Sequence, residues 1–370
     1  MTTRPLVVIL ASTPFDGHQL YDQRLARALA TNYDVVYVDP PRAFGRPRPG
    51  GRGVAERGGT AVVSPRMLPF GKRRPLFALT GFLVGVGVRW EMRKRTKNRR
   101  QVRYVVIAAS AMTLRALPRA RSVHLVKDNY IAGADLIGID AALVSRRFTA
   151  RMAQADAVCV VSPHLREILV RRGIRSSVVP AGCSPDETTH PEPADLVRVE
   201  NPRAVFIGMV SDRIDLALMA ALLEAGISVV VVGPVQNTFT KHAELADLLL
   251  RPAFHHLNSR TGTELHAVLQ HCDVGLIPYV RSEFNDSSFP LKAFEYLAAG
   301  LQIVSTPLPA MAWLGHDVIH IEGETEAFVR ATIAACRSRG TRAEECKAIA
   351  ADNSWGNRAA VFADLLGLTG

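Results

Sequence analysis

The chain has 370 residues, enough for two domains of ordinary size, and 48% of them are hydrophobic, enough for substantial cores. No apolar run reaches the roughly 18 to 20 residues that cross a bilayer, and five scattered cysteines (Cys159, Cys183, Cys272, Cys336, Cys346) with no C-x-x-C pair argue against structural zinc and a disulfide framework. The net charge of +11 is concentrated: residues 1–103 hold 20 Lys and Arg against 6 Asp and Glu, the remainder 25 against 28, so the excess points to a surface for an anionic partner.

The N-terminus, MTTRPLVVILAS, enters a strand directly and lacks a charged segment and cleavage site, so a reduced, cytoplasmic protein is expected. Short β-branched runs then recur at Leu6–Ala11, Asp34–Val38, Ala61–Ser64, Tyr104–Ala109, Ser122–Val126, Ala157–Ser162 and Ser177–Pro180. Amphipathic stretches such as Tyr21–Thr31 and Ala141–Ala155 lie between them. Continuous apolar strands alternating with helices indicate a parallel sheet covered on both faces. Gly182–Pro202, rich in proline and acidic residues, reads as an interdomain linker. A second array follows at Ala204–Gly208, Ser228–Gly233, His255–Leu257, Asp273–Pro278, Gln302–Thr306 and Val318–Ile321, and a last helical stretch at Asn353–Leu366 puts Trp355, Phe362 and Leu366 on one face. The expected class is therefore α/β, two consecutive Rossmann-like domains, with ligands at the carboxyl ends of the strands in a cleft.

Two segments carry candidate chemistry. In Asn285–Pro309, the N-cap types Asp286, Ser287 and Ser288 and the helix-starting Pro290 predict a capped helix, with Leu291, Phe294, Leu297 and Ala298 packing inward and Gly300 ending it. Lys292 and Glu295 are left on one side of its first turns, where a lysine beside free N–H groups suits phosphate and a glutamate suits sugar hydroxyls. An ordinary capped amphipathic helix fits the bare pattern equally. In Pro75–Val88, an apolar run of 14 residues is followed by Arg89-Trp90 and a cluster including Arg93, Lys94 and Arg95. That pattern suits a segment at an anionic membrane surface, at about 1 kcal/mol per basic residue; a buried helix followed by a solvated basic one is the alternative. Beyond Trp90 there is no aromatic interleaving, so nucleic acid is not the expected partner.

The chain resembles the GT-B glycosyltransferases, and is most similar to the bacterial group with teichuronic-acid-type transferases and the xanthan glucuronosyltransferase. The residues that carry the likeness are Pro290-Leu291-Lys292 with Phe294-Glu295-Tyr296-Leu297-Ala298-Ala299-Gly300 and Ile303 to Pro307; Phe206-Ile207-Gly208 with Asp212 to Asp215; Val232-Gly233-Pro234; Cys272 to Pro278; Val36 to Pro41; Ala155 to Ala157 with Val161-Ser162; and Ser354-Trp355. The resemblance implies an acceptor-binding domain over 1–190, a nucleotide-sugar-binding domain over 200–350, the two parallel sheets facing across a cleft, and a closing helix over 353–370 that crosses back. By that analogy Gly208, Met209, Arg213, Gly233, Pro290, Leu291, Lys292 and Glu295 form the donor site, Glu295 on the ribose and Lys292 and Arg213 on the diphosphate. The alternative for Arg213 is an ion pair with Asp212 or Asp215.

Many retaining members have two glutamates eight residues apart, but the position eight before Glu295 is Ser287. With no D-x-D motif, a metal is not indicated, and no cofactor is implied beyond a nucleotide-sugar co-substrate, a UDP-sugar by family habit. An inverting reaction needs a general base, for which Asp128, just past a first-domain strand, is the candidate; a helix N-cap or a partner for Lys127 is its alternative. His124 is in reserve, and Gly17 and His18 in the first strand-to-helix loop are candidates on the acceptor side. The expected activity is sugar transfer to a lipid-linked or polysaccharide-precursor acceptor by an enzyme peripheral on the inner face of the cell membrane, through residues 75–103. A transferase for a soluble small molecule and a nucleotide-sugar 2-epimerase are the alternatives.

Overall fold

The structure, a computed structural model, describes residues 4–16, 20–43, 56–57, 59–67, 85–86, 103–108, 120–129, 141–185 and 188–368. The chain divides into two units, one of residues 1–161, 165–180 and 355–370, the other of residues 162–164 and 181–354.

The strands of the first unit are β1 (Leu6–Leu10), β2 (Asp34–Val38), β3 (Arg42–Ala43), β4 (Glu56–Arg57), β5 (Thr60–Val63), β6 (Arg66–Met67), β7 (Tyr104–Ile107), β8 (Arg121–Val126), β9 (Ala157–Val160) and β10 (Ser177–Val178). Eight of them form one sheet in the order β10-β9-β8-β7-β1-β2-β5-β4, parallel except for the β4–β5 edge. Its centre is built from the β-branched runs: Val7, Val8, Ile9, Val105, Val106 and Val123 are sealed from solvent because both faces of a parallel sheet are covered. The C-terminal helix, Trp355–Leu365, belongs to this unit. Its Trp355 ring meets Tyr21 edge-on at 5.1 Å and Phe362 meets the same ring at 6.4 Å, docking it on the helix Tyr21–Ala30.

The second unit contains β11 (Arg203–Ile207), β12 (Ser228–Val232), β13 (Phe254–Leu257), β14 (Val274–Ile277), β15 (Ile303–Ser305) and β16 (Ile319–Ile321), in a fully parallel sheet of order β13-β12-β11-β14-β15-β16. The chain winds outward from β11 to β13 and restarts at β14 on the other side. That reversal between β11 and β14 is the topological switch point where doubly wound sheets bind ligands. The proline-rich stretch before β11 is a packed part of this unit: Gln270 holds both the Thr188 carbonyl and the His190 N–H, Arg203 pairs with Glu192, and Arg260 pairs with Asp195.

One element departs from expectation. The anticipated cap residues Asp286 and Ser287 lie inside a separate short helix, Glu283–Ser287, which is capped by Ser282 accepting from the Asn285 N–H at 3.2 Å. Pro290 disfavours a helical conformation at Phe289, so the chain breaks and a new helix begins at Lys292 and runs to Ala298. Leu291, expected to pack inward, is 40% exposed, whereas Phe294, Leu297 and Ala298 are buried.

Candidate functional site

The site is assembled at the carboxyl ends of β11 and β14. Those strands pair only through Ala204–Val274 and Val205–Gly275, then separate. Tyr296 fills the gap: its hydroxyl accepts from the Ile207 N–H at 3.0 Å and donates to the Leu276 carbonyl at 3.1 Å, satisfying one ladder group on each strand. Room for the ring exists because residue 275 is glycine; a Cβ there would stand 2.4 Å from the Tyr296 ring. On the other side, the backbones of Gly233 and Gly208 approach so closely that a Cβ on Gly233 would lie 2.2 Å from the Gly208 carbonyl oxygen. His256 also reaches the Gly233 carbonyl at 2.7 Å. Tight glycine turns after adjacent strands leave backbone, rather than side chain, at the crevice mouth.

Lys292 points at Gly208 and the end of β11. Its side chain is buried, not displayed on the helix surface beside Glu295, and its ammonium sits 3.4 Å from the Phe206 ring centroid and 4.9 Å from that of Tyr279. The Nζ lies next to Gly208 and has no hydrogen-bond partner among the described residues. Burial, and secondarily the nearby Arg213 charge, hold its pKa well below the ordinary lysine value. Cation–π contact offsets only about 0.5–2 kcal/mol of the cost of a charge there.

Arg213 is the second cation. Its Nε donates to Asn285 Oδ1 at 2.5 Å and its Nη2 to Ser288 Oγ at 3.0 Å, while its Cζ lies over the Tyr279 and Phe284 rings, 4.7 and 4.8 Å from their centroids. The neighbouring acids are engaged elsewhere. Asp212 accepts from the Thr240 N–H, and Asp215 caps the helix Leu216–Glu224, so the ion-pair alternative for Arg213 does not describe it. Glu295 is half-buried on the helix that carries Lys292. Met209, directly after Gly208, is 46% exposed, and Pro290 is buried next to the exposed Leu291. Ser287, at the position of the missing glutamate, is buried with a hydroxyl that has no partner among the described residues.

In the first unit, Asp128 lies two residues past β8 and is exposed, and His124 is buried within β8. Lys127 turns to Asp22 and Ser12, each at 2.6 Å from its Nζ. Gly17, His18, Trp90, Arg93, Lys94 and Arg95 fall outside the described residues, as does Pro75–Val88 apart from Gly85 and Val86. Among the described residues no helix is long and apolar enough to cross a membrane.

At this switch point, glycine turns and two cations without a carboxylate partner among the described residues come together. The sequence comparisons fall on the same region. Residues 201–338 match the family described as Glycosyl transferases group 1. A glycosyltransferase assigned by name to teichuronic acid biosynthesis, TuaH of Bacillus subtilis (strain 168), is 29% identical over 123 residues; the match spans 32% of this chain and 30% of that protein. Solved structures give the fold of the whole chain. Sucrose-phosphate synthase from Thermosynechococcus elongatus superposes with a TM-score of 0.71 at 14% identity, covering 99% of both chains. The E. coli trehalose-6-phosphate protein bound with UDP-2-fluoro glucose gives 0.67 at 14% identity over 98% of this chain and 99% of that one. The fold is GT-B, two α/β units with parallel sheets.

Sequence reasoning named Arg213, Lys292 and Gly208 as candidates, and the structure places Lys292 beside both of the others; it did not name the residues that support them. Asn285 and Ser288 lie 72 and 75 residues from Arg213 along the chain, and nothing in their local pattern distinguishes them from helix caps. The Tyr296 bridge was equally hidden, although a glycine inside a strand at Gly275 is a signal for close approach.

Proposed function

We propose that the protein transfers a sugar from a nucleoside-diphosphate donor to an acceptor hydroxyl, with the donor diphosphate on Lys292 and Arg213 and its ribose on Glu295. The observation that carries this reading is the buried, hydrogen-bond-deficient ammonium of Lys292 beside an Arg213 clamped only by neutral groups. Departure of the sugar leaves charge on the diphosphate, and preorganised cations in a dry crevice stabilise that charge without reorganising. Lys292→Ala and Glu295→Ala should each weaken donor binding; unchanged donor affinity in both would refute the assignment. UDP is the preferred nucleotide, GDP the next to test.

On the acceptor side Asp128 is the proposed general base, and inversion the proposed outcome, since Ser287 offers no carboxylate at the first glutamate position. Asp128→Asn should abolish turnover while leaving donor binding intact; wild-type turnover would remove Asp128 from that role, and the anomeric configuration of the product decides the stereochemistry. The acceptor is proposed to be a lipid-linked glycan precursor at an anionic membrane surface. Support comes from the basic, Trp-flanked segment 75–103 and from the teichuronic acid assignment of the relative. The competing reading is a soluble acceptor. It is favoured by the fold neighbours, which include a trehalose-phosphate synthase from Burkholderia xenovorans in complex with glucose-6-phosphate. Sedimentation with anionic vesicles, against neutral ones, separates the two.

A further inference from the structure

The hydrogen bonds from Arg213 go to an amide oxygen and a hydroxyl, neutral groups that orient a guanidinium without cancelling its charge. Asn285 is 1% exposed and fully engaged: its Oδ1 accepts from Arg213 Nε, and its Nδ2 donates to the Val280 carbonyl at 2.7 Å. Ser288 Oγ accepts from Arg213 Nη2 and donates to the Asn285 main-chain carbonyl at 3.0 Å. The aromatic rings of Tyr279 and Phe284 fix the guanidinium plane. One edge of the fork is thus consumed, and the described hydrogen bonds leave Nη1 available. The nearby carboxylate Asp286 is drawn away into a bidentate pair with Arg281, at 2.8 and 2.9 Å. A bidentate carboxylate at the Asn285 position would be the ordinary partner of a buried arginine. It would also cancel the charge that an anion needs.

We propose that Asn285, with Ser288, is a positioning residue for donor binding: it aims Arg213 at the diphosphate while keeping the guanidinium charge uncompensated. This rests on the donor-site reading above. Neutrality, not only geometry, is the requirement. An aspartate at 285 preserves the acceptor for Nε yet forms an internal ion pair that competes with the ligand.

The test is calorimetric titration of UDP, with GDP in parallel, into the wild-type full chain, Asn285→Asp, Asn285→Ala and Ser288→Asp, with thermal unfolding of each. The expected result is a loss of affinity above tenfold in both aspartate variants, larger than in Asn285→Ala. The dependence of binding on salt should flatten, and with turnover measurable, the donor KM should rise more than kcat falls. Because Asn285→Asp loses the bond to Val280, Ser288→Asp supplies the same charge from a half-buried position, and thermal unfolding reports whether each variant is folded. Affinity in both aspartate variants equal to wild type, or a ranking in which alanine is the worst, overturns the proposal by showing that geometry alone matters. Wild-type protein that binds neither nucleotide overturns the donor reading and this inference with it.

Discussion

Each unit places a lysine at the carboxyl ends of its parallel strands, and the two are treated in opposite ways. Lys127, after β8, is matched by Asp22, a carboxylate sealed from solvent that also accepts from the Ser12 N–H and hydroxyl at 2.9 Å. Lys292, beside the end of β11, has aromatic faces, a second cation and, among the described residues, no hydrogen-bond or ion-pair partner. The first arrangement ties a loop to a helix and is complete without a ligand. Around it, successive loop residues are pinned by buried side chains: Tyr37 to the Thr13 carbonyl, Gln23 to the Pro14 carbonyl and Asp39 to the Phe15 N–H. The second arrangement holds an energetic cost in the free protein that an anion would remove. On the proposed reading, compensated charge marks scaffold and uncompensated charge marks a place for substrate.

The largest effect should come from breaking the compensated pair. Asp22→Asn leaves Lys127 without its anion in a nearly closed environment and should destabilise the protein by about 3–5 kcal/mol in denaturant titrations. A loss below about 1 kcal/mol would mean that the pair is not structural. Next, Gly275→Ala forces a methyl into the Tyr296 ring, with an expected cost of about 1–3 kcal/mol. If the bridge shapes the crevice, donor affinity falls with it; a stable variant with full affinity would detach Tyr296 from the site.

Lys292→Met should act in the opposite sense, raising stability by about 1 kcal/mol or more, since it replaces an uncompensated amine with an apolar chain of similar length. The pH dependence has a defined sign. With the folded pKa depressed, the unfolded chain holds a proton that the folded chain has released between that pKa and the ordinary lysine value near ~10.4. Wild-type stability therefore rises with pH across this window, and the advantage of Lys292→Met is greatest below it and shrinks through it. A gap independent of pH would show that Lys292 is not desolvated in solution. The smallest effect on folding belongs to Glu295→Gln, within about 0.5 kcal/mol for a half-exposed helix position, although donor affinity should drop.

Much of this architecture is legible in the sequence because its strands are written in valine and isoleucine. Both sheets follow from runs such as VVIL, DVVYV and SVVVV, with ends shifted by a residue or two. The break at Phe289–Pro290 was not legible as such, because Asp, Ser and Ser before a proline read as an N-cap whether or not the helix starts there. The cations Arg213 and Lys292 stood out by type and by the motifs around them. Their state did not: burial of Lys292 against Phe206 and the neutral clamp of Asn285 and Ser288 depend on contacts across 72 or more residues, which no local pattern encodes.

The central claim, that the buried, unpartnered Lys292 side chain is held for a diphosphate, is tested most directly by thermal unfolding of wild type and Lys292→Met with and without UDP or GDP. Wild type should gain about 2.7 kcal/mol when the nucleotide is at 100 times its dissociation constant. Lys292→Met should be the more stable protein without ligand and should not respond. A variant that is less stable than wild type, or that nucleotide stabilises as strongly, would contradict the account.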